Sequence, residues 1–395
     1  MRRTLTQPRV WIVAVLSLVC VALIFMLVVR AQAKNDRHAI TVMTRNLYIG
    51  ADIARPLRAA EGYSGQDAVL ALGHANHELR KIVDRTSFGT RSDLLAEEIA
   101  KAQPDLLALQ EVALWRRGPL QLDQLGQLNA TQVDYDFLAM LVADLDQRGA
   151  RYQVVYVQEE SDVEAPGFTG NPYEGTAQDS QDIRLTVRDA ILVRQASGIQ
   201  VTDSGGAHYR QVLPVDLGGV QFRFVRGYTW TDVLIGQSRL RFVSTHLESQ
   251  NDDVAAAQAD ELLTALAGLT TLTTIIACDC NADPAKRDAS RDQMTVPLTT
   301  YEVLTHTDRF ADLWLQQQPE SAGPGLTAGL SELVNDPTAA GFTRRLDLVL
   351  ARPARSTRVT VSHAEITGND LSDHDASTGL WPSDHAGVLL RLGLS

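Results

Sequence analysis

Six short apolar runs in this chain each meet an acid, an amide or an imidazole at one end, and that repetition constrains the fold more than any other feature. Ile40 to Arg45 ends at Asn46, Leu106 to Gln110 ends at Glu111, Leu240 to Thr245 ends at His246, and Ile275 to Cys278 ends at Asp279, with Asn281 two residues on. Runs of this length and composition read as strands. Two further runs carry the polar group first: Asp347 precedes Leu348-Val349-Leu350, and Asp384-His385 precedes Ala386-Gly387-Val388-Leu389-Leu390. Antiparallel neighbours leave a sheet edge where their partners enter it, so both kinds of end can share one rim. The expectation is one pocket at the rim of a β-rich core, lined by Asn46, Glu111, His246, Asp279, Asn281, Asp347, Asp384 and His385. Ser372-Asp373-His374 copies the terminal triplet but runs on into Asp375-Ala376-Ser377, so it reads as loop.

Helix-like pieces alternate with these strands. Ser92 to Ala100 reads as an amphipathic helix capped at Ser92 and ended by Pro104, and Asp252 to Leu269 as another. Val220 to Phe224 reads as part of a hairpin. The fold class is therefore α/β, with sheet packed on sheet and helices outside. Two stretches read as insertions. One spans 50–90 and holds a helical segment around Ala68 to Val83; the other, 159–182, is rich in Gly, Pro, Asn and acids and reads as a loop able to act as a lid or substrate-selecting arm. Cys278 and Cys280 sit at i and i+2 of a strand, where a bridge would be strained, so they are expected to be small buried residues and not a disulfide. Two thiols are also too few for a zinc site.

Val10 to Val29 is an uncharged, mostly apolar run behind Arg2, Arg3 and Arg9, followed by Ala31-Gln32-Ala33. It reads as a signal peptide or, if uncleaved, as an N-terminal membrane anchor, within a leader of 1–33. On that reading residues 34–395 form one extracytoplasmic catalytic domain, secreted or anchored to the membrane. The formal net charge of −12 does not favour polyanions in general, and no dense Lys/Arg cluster announces a nucleic-acid groove. A bound divalent cation would change that field locally.

Carboxylates, amides and imidazoles without a thiolate set suit a hard, oxygen-preferring cation, Mg²⁺ or Mn²⁺. Glu111, Asn46 and Asp384 are the candidate metal-side residues. Such an inventory fits metal-assisted hydrolysis of a phosphate ester. Thr44-Arg45-Asn46-Leu47, Gln110-Glu111-Val112, Ser244-Thr245-His246-Leu247, Asp279-Cys280-Asn281-Ala282, Arg345-Leu346-Asp347-Leu348-Val349 and Pro382-Ser383-Asp384-His385 follow in order the signature blocks of the endonuclease/exonuclease/phosphatase superfamily, which the chain resembles from Ile40 to its C-terminus. The resemblance implies a four-layer α/β sandwich, two packed mixed sheets flanked by helices. It implies Glu111 as principal metal ligand with Asn46 beside it, Asp384 as a metal-side carboxylate, and Asp347 and His385 as an Asp-His dyad. It also implies that Asp279 and Asn281 orient the attacking water and hold the phosphate, and that His246 donates to a phosphate oxygen. Arg188 and Asp189 are candidate substrate-binding residues that depart from the family pattern, because many relatives place other substrate-side residues at this approach to the strand Ala190 to Val193. The usual Gly-Asp-Phe-Asn block is Cys278-Asp279-Cys280-Asn281 here. Expected substrates are nucleic acid, a phospholipid head group such as that of sphingomyelin, or a small inositol or sugar phosphate ester. No protein partner is implied, and a non-catalytic surface binding module is the alternative of a different class.

Overall fold

Strands that are apolar on both faces need cover on both sides. In the computed structural model, which describes residues 39–217, 220–286, 298–306, 309–316 and 323–395, that cover takes the form of four layers. The first sheet has the order β15 (Val359–Thr367), β16 (Gly387–Leu394), β1 (Ala39–Asn46), β2 (Leu106–Gln110), β6 (Gln178–Arg194), β3 (Leu114–Pro119), β4 (Gln132–Asp136), with β5 (Tyr152–Thr169) also paired to β6. The second runs β13 (Ala311–Asp312), β14 (Asp347–Arg352), β12 (Thr273–Asp279), β11 (Ser238–His246), β10 (Gly227–Ile235), β7 (Gln200–His208). A separate hairpin joins β8 (Leu213–Leu217) to β9 (Val220–Phe224).

Ile40, Val42, Leu106, Ala108 and Ile191 of the first sheet pack against Phe242, Ile275, Ala277 and Val349 of the second. On its outer face the first sheet offers Met43, Leu107 and Leu109 to α2 (Gly65–Arg85), α3 (Phe88–Ala102) and α4 (Phe137–Gln147), while α1 (Arg55–Ala60) precedes α2. The second sheet offers Val243, Ile276 and Leu348 to α5 (Asp252–Leu266) and α6 (Thr300–Thr305). Each fully buried aliphatic side chain in these layers contributes about 1.5–3 kcal/mol.

Strand direction then assembles the rim. β1 and β2 are parallel, β16 is antiparallel to β1, and Thr44 stands opposite Val388. β11 and β12 are parallel with His246 beside Asp279, and β14 is antiparallel to β12 with Asp347 beside Asp279. The C-terminal ends of four strands and the N-terminal ends of two are thereby collected on one side.

Four sequence expectations change. Among the described residues no helix is long and apolar enough to cross a membrane, so the transmembrane helix, and with it the signal-peptide, secreted and membrane-anchored readings, is not carried forward. Residues 1–33, on which those readings fell, lie outside the described residues. Most of 159–182 is not loop: β5 and β6 pair as far as Thr169 and Gln178, and only the turn between them, with Gly170 and Gly175 at positive φ, uses the Gly-Pro-Asn composition. The helix read from Ser92 starts at Phe88, and the Ser92 hydroxyl, instead of capping, donates to Asp144 Oδ2 on α4 at 2.5 Å. Cys278 and Cys280 form a disulfide with Cα atoms 5.1 Å apart. A pleated strand spaces i and i+2 by about 6.6 Å, but β12 ends at Asp279, and the turn beyond it draws Cys280 back toward Cys278.

Candidate active site

The β1 terminus supplies Asn46, whose Nδ2 donates to Asp279 Oδ2 at 2.9 Å while its Oδ1 accepts the Tyr48 N–H at 2.8 Å. Glu111 follows the last residue of β2 at φ 55°, a left-handed conformation that aims its side chain away from the strand's own alternation. Its Oε2 accepts the Ile49 N–H at 2.8 Å. Asn281 has φ 45°; its N–H donates to Asp279 Oδ1 at 3.2 Å and its Nδ2 to the Leu247 carbonyl at 2.9 Å. Tyr48, at φ 59°, is a third non-glycine residue of this region in the left-handed region.

Asp347 Oδ2 meets His385 Nδ1 at 2.8 Å, and Asp279 Oδ2 lies 3.8 Å from the same nitrogen. Burial works against a charged His385, but the facing carboxylates of Asp347 and Asp279 outweigh it and hold its pKa well above the ordinary imidazole value. Burial raises Asp347, whose Oδ1 is enclosed with no hydrogen-bond partner among the described residues. Asp279 is equally buried, yet His385, His246 and the Asn46 amide together keep it below its ordinary value and so ionised. His246 is pushed down to about 4, by burial first and by the Arg226 guanidinium second. Its Nδ1 sits 2.8 Å from Arg226 Nη1, and its Nε2 lies 3.4 Å from Asp279 Oδ2 and 4.0 Å from Glu111 Oε1.

One ligand-capable atom each from Glu111, His246 and Asp279 falls within 4.8 Å, and so does one each from Asp279, Asp347 and His385. Asp384 stands beside them. Burial and the nearby Glu111 carboxylate push it up to about 6, against the pull of His385. Two carboxylates crowded at that cost are what a divalent cation would stabilise, and their oxygens match a hard ion. A cavity of about 280 Å³ opens above Glu111 and Asp384, lined also by Tyr48, Asp52, Arg226, Glu248 and Glu332.

Asn46, Glu111, His246, Asp279, Asp347, Asp384 and His385 thus converge, with Asn281 at their edge. Arg188 and Asp189 do not line the cavity. Arg188 donates to the Val112 carbonyl at 2.9 Å and to Asp136 Oδ1 at 2.6 Å, bracing the turn after Glu111. Asp189 is fully buried, and burial lifts it well above the ordinary carboxylate value. The sequence reading missed several supporting residues. Arg45 donates to the His385 carbonyl and to Glu98 Oε2 at 3.0 Å. Arg91 ties the carbonyls of Leu47, Tyr48, Thr86 and Pro382, and Thr327 accepts the Asp347 N–H at 3.2 Å. The one local signal among them is Arg45, a charged residue in the otherwise uncharged run from Ile40 to Asn46.

The model of the endonuclease/exonuclease/phosphatase family matches residues 82–385. A family protein from Leptotrichia buccalis superposes with a TM-score of 0.51 at 13% identity, covering 89% of this chain and 99% of that one. A truncated TDP2 of Caenorhabditis elegans gives 0.46 at 15% identity over 90% and 97% of the two chains. A mannosyl-6-phosphatase of Bacteroides thetaiotaomicron gives 0.47 at 14% over 89% and 99%. No curated protein matches this chain.

Proposed function

The chain belongs to the endonuclease/exonuclease/phosphatase family and is a metal-dependent hydrolase of phosphoric esters, and from that premise we propose that it hydrolyses a compact phosphodiester with Mg²⁺ or Mn²⁺. The observation that carries the proposal is the meeting of the Asp347-His385 pair with Asp279, Glu111 and His246 at one rim. Glu111 and Asp384 would hold the cation, with Asn46 beside them. Bound there, it supplies Lewis-acid polarisation of a phosphoryl oxygen.

This chain's own residues do the rest. Asp279, ionised and fixed by Asn46 and Asn281, accepts a hydrogen bond from the attacking water and takes its proton. His385, held cationic by Asp347, offers Nε2–H to the phosphoryl group as negative charge grows on it. As the water oxygen bonds to phosphorus, the opposite P–O ester bond breaks and the leaving oxygen departs as the alcohol, taking a proton from solvent water. His246 offers a second donor from the neighbouring strand. Arg188 acts indirectly on this reading, by bracing the turn after Glu111.

The restriction to a compact ester follows from charge. Asp52, Glu111, Glu248, Glu332 and Asp384 line the cavity with Arg226; Arg55 and Arg58 pair with Glu332 and Asp52 and offset those two acids, but the surplus stays acidic and the chain's net charge is −12. A run of phosphates would face that field at every step beyond the reacting one. With Mg²⁺ present, the protein is expected to cleave a small diester or a single-phosphate head-group ester faster than plasmid DNA or RNA, and to lose activity on chelation. His385→Ala and Asp279→Ala should each reduce kcat by about 10²–10⁴-fold. Wild-type rates in either variant, or a preference for polymeric DNA, would overturn the corresponding part.

A further inference from the structure

Arg226 immediately precedes β10, and its place is built by contacts that the family blocks do not include. Its carbonyl accepts the Tyr209 N–H at 2.9 Å. The next residue is Gly227, where a Cβ would come within 2.4 Å of the Ala207 carbonyl and 3.0 Å of Glu160 Oε1, so only glycine lets the chain pass there. The Gly227 carbonyl in turn accepts the Thr245 hydroxyl at 2.7 Å, locking this corner to the residue before His246. Behind it lie the buried carboxyls of Glu160 and Asp189, and the Glu160 oxygens have no hydrogen-bond partner among the described residues. Toward the cavity, Arg226 Nη1 reaches His246 Nδ1 at 2.8 Å.

We propose that Arg226 is a positioning residue that fixes His246 as the neutral Nε2–H tautomer, making it a hydrogen-bond donor to substrate and removing it from both metal binding and proton transfer. A guanidinium has donors only and stays protonated, so Nδ1 must be the acceptor of this bond. A neutral imidazole that accepts at Nδ1 carries its one proton on Nε2. That N–H is the atom facing Asp279 and Glu111. With one nitrogen occupied by Arg226 and the other protonated, His246 has no lone pair for a cation, which leaves the cation an oxygen shell of the kind a hard ion takes. It leaves His385 as the proton-carrying imidazole of the site. The role given to His246 rests on the phosphoesterase reading; the tautomer does not.

The test is imidazole ¹⁵N spectroscopy on the full chain, with the His246 signal identified by its loss in His246→Asn. The wild-type ring should show Nε2 protonated and Nδ1 unprotonated. Arg226→Met should populate both tautomers and lower kcat on a small diester with Mg²⁺, by up to about 10²–10³-fold if the donor to the phosphoryl oxygen is lost in full. Arg226→Lys, which keeps a donor, should restore much of both. A wild-type ring protonated on Nδ1 overturns the proposal without any variant having to fold, and so does an Nε2–H tautomer unchanged in Arg226→Met. Should no phosphate ester be cleaved while the tautomer still responds to Arg226→Met, the phosphoesterase reading fails and the assignment of Arg226 stands.

Discussion

Thr327 spends one hydroxyl on two backbone N–H groups, those of Leu346 at 3.1 Å and Asp347 at 3.2 Å, and thereby sets where the Asp347 carboxylate meets His385. Control of this kind, one side chain fixing another's charge or orientation, recurs at Asp384. With its pKa raised to about 6, this carboxyl is protonated below that pH and ionised above it. A cation must displace the proton to bind, so affinity for Mg²⁺ falls as the pH drops through 6, by up to about tenfold per unit further down. Half-saturating Mg²⁺ measured between pH 5 and 7.5 should follow that slope, and Asp384→Asn should bind more weakly with this slope reduced. A wild-type requirement that does not change with pH would remove Asp384 from the metal side.

Strand and helix ends are where the elements meet chemistry, and Arg91 shows what holds them. This fully buried residue in the first turns of α3 donates to the Leu47 and Tyr48 carbonyls after β1 and to the Pro382 carbonyl before His385. Arg91→Met strands those acceptors at roughly 1–3 kcal/mol each, so a loss of about 3–5 kcal/mol is expected by urea denaturation; a change below about 1 kcal/mol would show that water replaces the guanidinium. The strand ends themselves were legible in the sequence, because an apolar run closed by a lone acid, amide or imidazole is visible without knowing its partner. The same holds for α5, whose start read from Asp252 agrees with the structure. Contacts such as Arg226 to His246 or Thr327 to Asp347 were not legible, because their geometry exists only after sheet pairing. β5 escaped notice for a local reason: register shifts at Val154/Tyr156 and Glu159/Asp162 break the alternation by which a strand is recognised.

At the scale of the whole molecule, the polar set is divided between two bodies. Asn46, Glu111, Asp384 and His385 ride on the first sheet, and His246, Asp279 and Asp347 on the second. The apolar layer of Ile40, Val42, Ile191, Phe242, Ile275 and their neighbours holds the two in alignment, together with cross-sheet hydrogen bonds such as Gln110 Nε2 to Ser244 Oγ at 2.9 Å and Asn46 Nδ2 to Asp279 Oδ2. Ile191→Ala, in the core beneath the rim, should cost about 2–5 kcal/mol through the cavity it leaves. Its kcat should also fall on warming before the folded fraction does, whereas activity that simply follows the unfolding curve would contradict this. The apolar interface is therefore set like a vernier: any offset of one sheet against the other would be read at the 2.8 Å bond from Asp347 to His385. Hydrolysis on such a frame is a gauge of alignment, so the rate of this protein reports the fit of its interior at a distance where no core residue touches the reacting atoms.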